Sequence, residues 1–102
     1  VCLVFCADAQ RAADRYGERG ARLYALQDTT IAASYAQLAG VAAGLASAWV
    51  GDFDEDAVRA ALNISSGLRP IALIAIGTAA EVPEETPRRP LKEILMAGDT
   101  SA

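Results

Sequence analysis

Residues 24–45 read YALQDTTIAASYAQLAGVAAGL, and the way this stretch can be buried decides the fold. Ile31, Tyr35, Leu38, Ala42 and Leu45 recur at helical spacing and form one apolar stripe. Ala32, Ala36, Ala39, Gly40, Ala43 and Gly44 form a second stripe of small residues. Two apolar faces on one helix predict an element surrounded by other structure. Glycine inside a helix costs about 1 kcal/mol relative to alanine, so the small stripe predicts a compensating close approach by another helix. The expected position is central, with one face on a sheet and the other open to a second subunit. Thr29 to Gly51 carries no formal charge, and a stretch of that length can span a bilayer. It is interrupted by Thr30, Ser34, Gln37 and Ser47, however, and alanine supplies most of its apolar character. Leu, Ile and Val are too few to drive insertion, so a buried helix of a soluble protein is expected and not a membrane span.

Outward from this helix, the chain alternates strands and helices. Val1 to Ala7 is a continuous apolar run, which predicts an interior strand covered on both faces. After Asp8, a polar helix is expected from Ala9 to about Glu18, with Ala12, Ala13 and Tyr16 inward and Gly17 and Gly20 breaking it. Ala48-Trp49-Val50-Gly51 reads as a short extended segment. Asp52 and Glu55 have the spacing of a capping box for a helix running to about Asn63, with Ala57, Val58, Ala61 and Leu62 buried. Ser65-Ser66-Gly67 is a turn, and Arg69 to Ile76 is a second buried strand with Pro70 tolerated at its start. Gly77 ends that strand. An acidic, proline-containing loop from Glu81 to Pro87 leads through Arg88-Arg89-Pro90 into a last apolar segment, Leu91 to Met96. This alternation is that of an α/β or α+β domain.

The bulk properties exclude several functions. With 102 residues the chain is one domain at most. A net charge of −4 and a pI near 4.6 oppose nucleic-acid binding, which needs clustered basic residues. There is no histidine, so His-ligated metal sites and His-containing catalytic triads cannot be built within the chain. Cys2 and Cys6 lie four strand positions apart, about 13 Å at the usual rise, which is beyond disulfide reach. Buried free thiols are expected, as in a reducing cytoplasm. The opening Val1-Cys2-Leu3-Val4 is mid-strand in character, with no initiator Met or leader before it, and reads as a cut through a longer protein.

Three segments, taken in order, carry a resemblance. Tyr24-Ala25-Leu26-Gln27-Asp28 leads into the alanine-rich helix ending Ala43-Gly44-Leu45. Ser47-Ala48-Trp49-Val50-Gly51-Asp52-Phe53-Asp54 follows, and then the strand ending Ile74-Ala75-Ile76-Gly77 with the Arg88-Arg89-Pro90-Leu91 tail. Together they resemble the C-terminal half of the nitroreductase family, over nearly the whole chain. The resemblance implies an α+β fold: a buried mixed sheet packed by helices around a long central alanine- and glycine-rich helix. Residues 1–102 would then be the C-terminal portion of one such domain.

Members of that family are homodimers with FMN at the subunit interface. They pass electrons from NADH or NADPH to nitroaromatics, quinones or related acceptors. By resemblance, Trp49, Val50, Gly51 and Asp52 match the segment whose main chain lines the flavin ring. Physically, an N–H aimed at the hydride-accepting nitrogen stabilises arriving electron density, and a glycine permits close backbone approach. The competing reading makes Trp49 a core aromatic in a tight connection. Arg88 and Arg89 match the family's phosphate-gripping position, where guanidinium groups form charge-assisted bonds. The competing reading is a solvated pair offsetting Glu84 and Glu85. Gln27 and Asp28 are taken as structural, Asp28 capping the long helix or meeting its positive end.

The family's first half, with its arginine- and serine-containing phosphate segment, is not in this sequence. The expected activity, an FMN-dependent NAD(P)H oxidoreductase of the cytoplasm, therefore needs that half supplied, either by the same polypeptide or by a complementary chain. The alternatives are another flavin reaction on this scaffold, such as dehalogenation or flavin fragmentation, or a non-catalytic dimerisation half.

Overall fold

The last strand in sequence is the middle strand in space. The computed structural model describes residues 1–98. The elements run β1 (Cys2–Asp8), α1 (Ala9–Arg19), a π-helical turn (Gly20–Tyr24), α2 (Ala25–Ala42), β2 (Ala46–Val50), α3 (Glu55–Leu62), β3 (Leu68–Gly77) and a short α4 (Leu91–Ile94). The sheet order is β1-β3-β2, and both pairings are antiparallel. This is the expected α+β architecture, and a parallel partner for the sheet would have to come from outside the chain. β1, expected in the interior, lies at an edge of the sheet formed here.

A proline in a central strand removes a ladder donor, and the register shows how this one is tolerated. Phe5 pairs with Ala72 but Cys6 pairs with Pro70, so Ile71 is an extra residue on β3. This bulge locally breaks the ladder at Pro70, which is itself fully buried.

Strand alternation puts Leu3, Phe5, Trp49, Ala72, Ile74 and Ile76 on one face of the sheet. α2 covers that face. Ala33, Ala72 and Ile74 are completely buried there, with Phe5 and Ile76 packed around them. The packed flank of α2 carries Ala25, Thr29, Ala33 and Gly40. A side chain on Gly40 would begin 4.0 Å from Ile76 Cγ2, so the small residues set how closely the helix approaches a strand. The buried flank therefore lies on the sheet, while Ala32, Ala39, Ala43 and Gly44 of the expected small-residue stripe are exposed. Thr29 Oγ1 donates to the Ala25 carbonyl at 2.7 Å, which satisfies the one buried polar side chain among the described residues. Gln37 Nε2 donates to Ser47 Oγ at 3.1 Å and ties α2 to β2.

The opposite flank of α2 is bare: Ile31 is 50% exposed, Tyr35 68%, Leu38 64% and Val41 70%. The second face of the sheet is also only partly covered, with Cys2, Ala48, Val50 and Ala75 exposed. Cover on both faces, as the apolar runs predict, is not achieved by this chain's own residues. Cys2 is accordingly exposed and Cys6 half-buried, both free, where buried thiols were expected.

Three local expectations are corrected. Only Gly17 breaks α1, with φ 68° and ψ −149°, a conformation that favours glycine. Gly20 is buried in helical geometry, and a Cβ there would strike the Ala12 carbonyl and come within 2.9 Å of Tyr16 Cβ. The chain then runs through the π-helical turn straight into α2, so Asp28 sits in the first turn of α2 and caps nothing. The cap of α3 is Asp54, whose carboxylate accepts from the Ala57 amide at 3.1 Å, not Asp52. None of the residues of α3 is buried.

Candidate functional site

β2 ends at the edge of the sheet, and its last residues deliver a short exposed turn. Trp49 pairs with Ile74 and is 40% exposed, so it is neither a core aromatic nor a free one. Val50 pairs with Leu73 and is 38% exposed. Gly51 and Asp52 follow as exposed, non-helical residues before the cap at Asp54. A Cβ on Gly51 would sit 3.5 Å from the Trp49 indole nitrogen, so the turn folds back along the indole edge. Among the described residues, the amides of Gly51 and Asp52 make no hydrogen bond outside the strand ladder. An exposed main chain without a side chain at Gly51, with donors to spare, suits close contact with a flat ligand.

Gly51 and Phe53 line a cleft of about 320 Å³ together with Leu26 and Thr30 of α2, Glu55 and Arg69. Inside it Arg69 makes a forked contact. Its Nε donates to both Glu55 carboxylate oxygens at 3.2 Å, and its Nη2 donates to Oε1 at 2.9 Å. The Arg69 hydrogen bond, and then the charges of Arg69 and Arg59, hold the Glu55 carboxyl below its ordinary value of 4.5, with burial opposing. The Arg69 guanidinium is raised in turn, chiefly by the same bond. Sequence reasoning singled out neither residue of this pair for the site. Glu55 was expected in a capping box, but as the first residue of α3 it is turned to Arg69 instead. Fourteen positions separate the two, and only the pairing of β2 with β3 brings them together.

Arg88 and Arg89 lie between β3 and α4, exposed. Arg89 Nη2 donates to the Glu93 carbonyl at 3.0 Å, and its Nε lies 3.7 Å from Glu93 Oε2. Neither Glu84 nor Glu85 forms an ion pair with either arginine, and Arg88 forms none among the described residues. The structure thus places Trp49, Val50, Gly51 and Asp52 together at one sheet edge. The cleft beside them is walled by Arg69 and by neither tail arginine.

A three-stranded antiparallel sheet with a small-residue helix on one face and bare apolar surface elsewhere is part of an α+β domain. The chain belongs to the nitroreductase family, whose family model matches residues 1–78. That match includes the turn at Trp49–Asp52 and stops before Arg88. Among solved structures, the chain is similar to a nitroreductase family protein from Clostridium difficile 630, at 28% identity and a TM-score of 0.80, over 93% of this chain and 57% of that one. It is similar also to the nitroreductase family protein of Streptococcus pneumoniae TIGR4, at 28% identity and a TM-score of 0.75, over 86% of this chain and 44% of that one. NfrA1 of B. megaterium aligns at 25% identity and a TM-score of 0.77, over 94% and 44% of the two chains. The chain therefore spans about half the length of these relatives. A search of curated proteins found no match.

Proposed function

We propose that this chain forms the C-terminal part of an FMN-dependent oxidoreductase that takes electrons from NADH or NADPH and passes them to a nitroaromatic, quinone or similar small acceptor. The observation that carries the reading is family membership over a stretch that contains an exposed, glycine-bearing turn with unengaged amides. These residues fit one side of a flavin site: a cradle with no Cβ at Gly51, N–H donors at Gly51 and Asp52, and an aromatic wall at Trp49.

FMN, when bound, supplies the hydride acceptor and the electron store of the reaction. The chain's own contribution is to bind and orient it. Gly51 lets the main chain lie against a ring, and the neighbouring N–H groups favour negative charge arriving nearby. Trp49 and Val50 give apolar surface on the two faces of the strand end beside that turn. Arg88 and Arg89 serve as phosphate ligands, since guanidinium forks suit phosphate oxygens and both side chains are accessible. The bare stripe Ile31, Tyr35, Leu38 and Val41 supports assembly with a second copy or a complementary chain. Free thiols at Cys2 and Cys6 suit a reducing cytoplasm. No helix among the described residues is long and apolar enough to cross a membrane.

The protein, expressed as its complete open reading frame, is expected to purify yellow and to bleach on anaerobic addition of NADH or NADPH. A preparation that stays colourless after reconstitution with FMN overturns the proposal.

A further inference from the structure

The turn Gly51–Asp54 is fastened at both ends to the same strand. Upstream, Val50 pairs with Leu73 of β3. Downstream, Glu55 is the first residue of α3, and its carboxylate is gripped by Arg69 of β3. The two anchor points are four strand positions apart, about 13 Å at the usual rise. The bulge at Ile71 falls between them and bends the strand there.

α3 has little else to hold its start. None of its residues is buried, and its Arg59 reaches only the nearby Ser65 carbonyl. Among the described residues, the Glu55–Arg69 contact is the one side-chain hydrogen bond or ion pair joining α3 to the sheet. Its geometry is directional: two guanidinium nitrogens meet both oxygens of one carboxylate, which fixes orientation as well as distance. We propose that Glu55 and Arg69 are positioning residues that clamp the Gly51–Asp54 turn at the height and angle from which its main chain meets the flavin. This rests on the functional reading above for the identity of the ligand, but the clamp on the turn stands on geometry alone.

The test uses the complete open reading frame with R69M, E55Q, R69K and the charge exchange E55R/R69E. Two readouts are taken: amide hydrogen exchange at Ala57 and Val58, whose N–H groups are bonded to Asp54 at the end of the turn, without flavin, and the FMN Kd with its visible absorption band. R69M and E55Q are expected to speed exchange at those amides about twofold to fivefold and to weaken FMN by a similar factor, the scale an exposed ion pair supports. The exchange variant should return both values to within about twofold of wild type, because it restores the contact with its polarity reversed. R69K should fall between, keeping the charge but losing the fork. In about 1 M salt, where screening acts over about 3 Å, the wild-type values should move toward those of R69M.

Unchanged exchange at Ala57 and Val58 in both R69M and E55Q overturns the clamp. Faster exchange with the FMN Kd and absorption band unmoved overturns the positioning role and leaves a purely structural contact. A wild-type protein with no FMN affinity overturns the functional reading and the flavin positioning together, while the exchange data still decide the clamp on the turn.

Discussion

The two flanks of α2 contrast sharply, and not in the direction that hydrophobicity alone suggests. The flank with the small side chains, Ala25, Ala33 and Gly40, is the buried one. The flank with Ile31, Tyr35, Leu38 and Val41 is half to two-thirds exposed. Apolar side chains are buried only where a complementary surface exists, and within this chain that surface is one face of three strands. The larger flank has the area for another partner, and this chain does not contain it. What the difference teaches is that this chain carries more apolar surface than its described residues cover, while the relatives it matches are about twice its length.

Ways to break this comparison begin at the packed flank. Ile74 is fully buried beneath α2, so Ile74→Ala should cost about 2–5 kcal/mol in chemical denaturation of the complete protein. A cost below about 1 kcal/mol would mean that the face is not packed as described. Ala33→Leu adds volume where no space exists and should cost about 1–3 kcal/mol. On the bare flank, Leu38→Asp should leave the unfolding midpoint of the subunit nearly unchanged but lower the mass seen in size-exclusion chromatography. If Leu38→Asp destabilises as much as Ala33→Leu without altering the mass, the two flanks are not different in kind.

A finer contrast lies in the turn after β2. Asp54→Ala removes the cap of α3 and should cost about 1 kcal/mol, whereas Asp52→Ala should stay within about 0.5 kcal/mol. The smallest expected effect is a pH dependence. The Arg69 hydrogen bond depresses the Glu55 carboxyl in the folded state. Its stabilising contribution is therefore complete above the ordinary value of 4.5 and is lost as pH falls through the lower folded value. Arg69, whose guanidinium is raised by the same bond, stays charged throughout that range. Wild type and E55Q should consequently converge in stability on acidification below 4.5, as followed by acid titration of unfolding midpoints. A difference that persists undiminished there would show that the carboxylate charge is not what matters.

The sequence shows clearly what depends on local pattern. Continuous apolar runs located β1 and β3, helical spacing located α2, and the glycine at position 17 marked a true break. It shows poorly what depends on a partner. Which flank of α2 would be buried followed from strand alternation in Ile74 and Ile76, far away in the chain. The capping aspartate was misplaced because Asp52 and Asp54 both have usable carboxylates, and only the end of β2 selects between them. For the candidate site, Trp49–Asp52 came from the family resemblance, since the residues alone read equally as a core aromatic in a tight connection. The Glu55–Arg69 contact was not legible, because nothing local links the first residue of a helix to the second residue of a strand. The tail arginines were proposed by resemblance alone, and the structure ties Arg89 to Glu93.

The central place of β3 has a further consequence, for synthesis. Among the described residues, the backbone ladders of β1 and β2 are both completed by residues 68–77, which leave the ribosome after them. Until that segment emerges, β1 and β2 lack the strand that joins them, and α2 lacks the Ala72 and Ile74 surface on which it settles. A nascent chain stalled at residue 67 would lack the strand that joins β1 to β2.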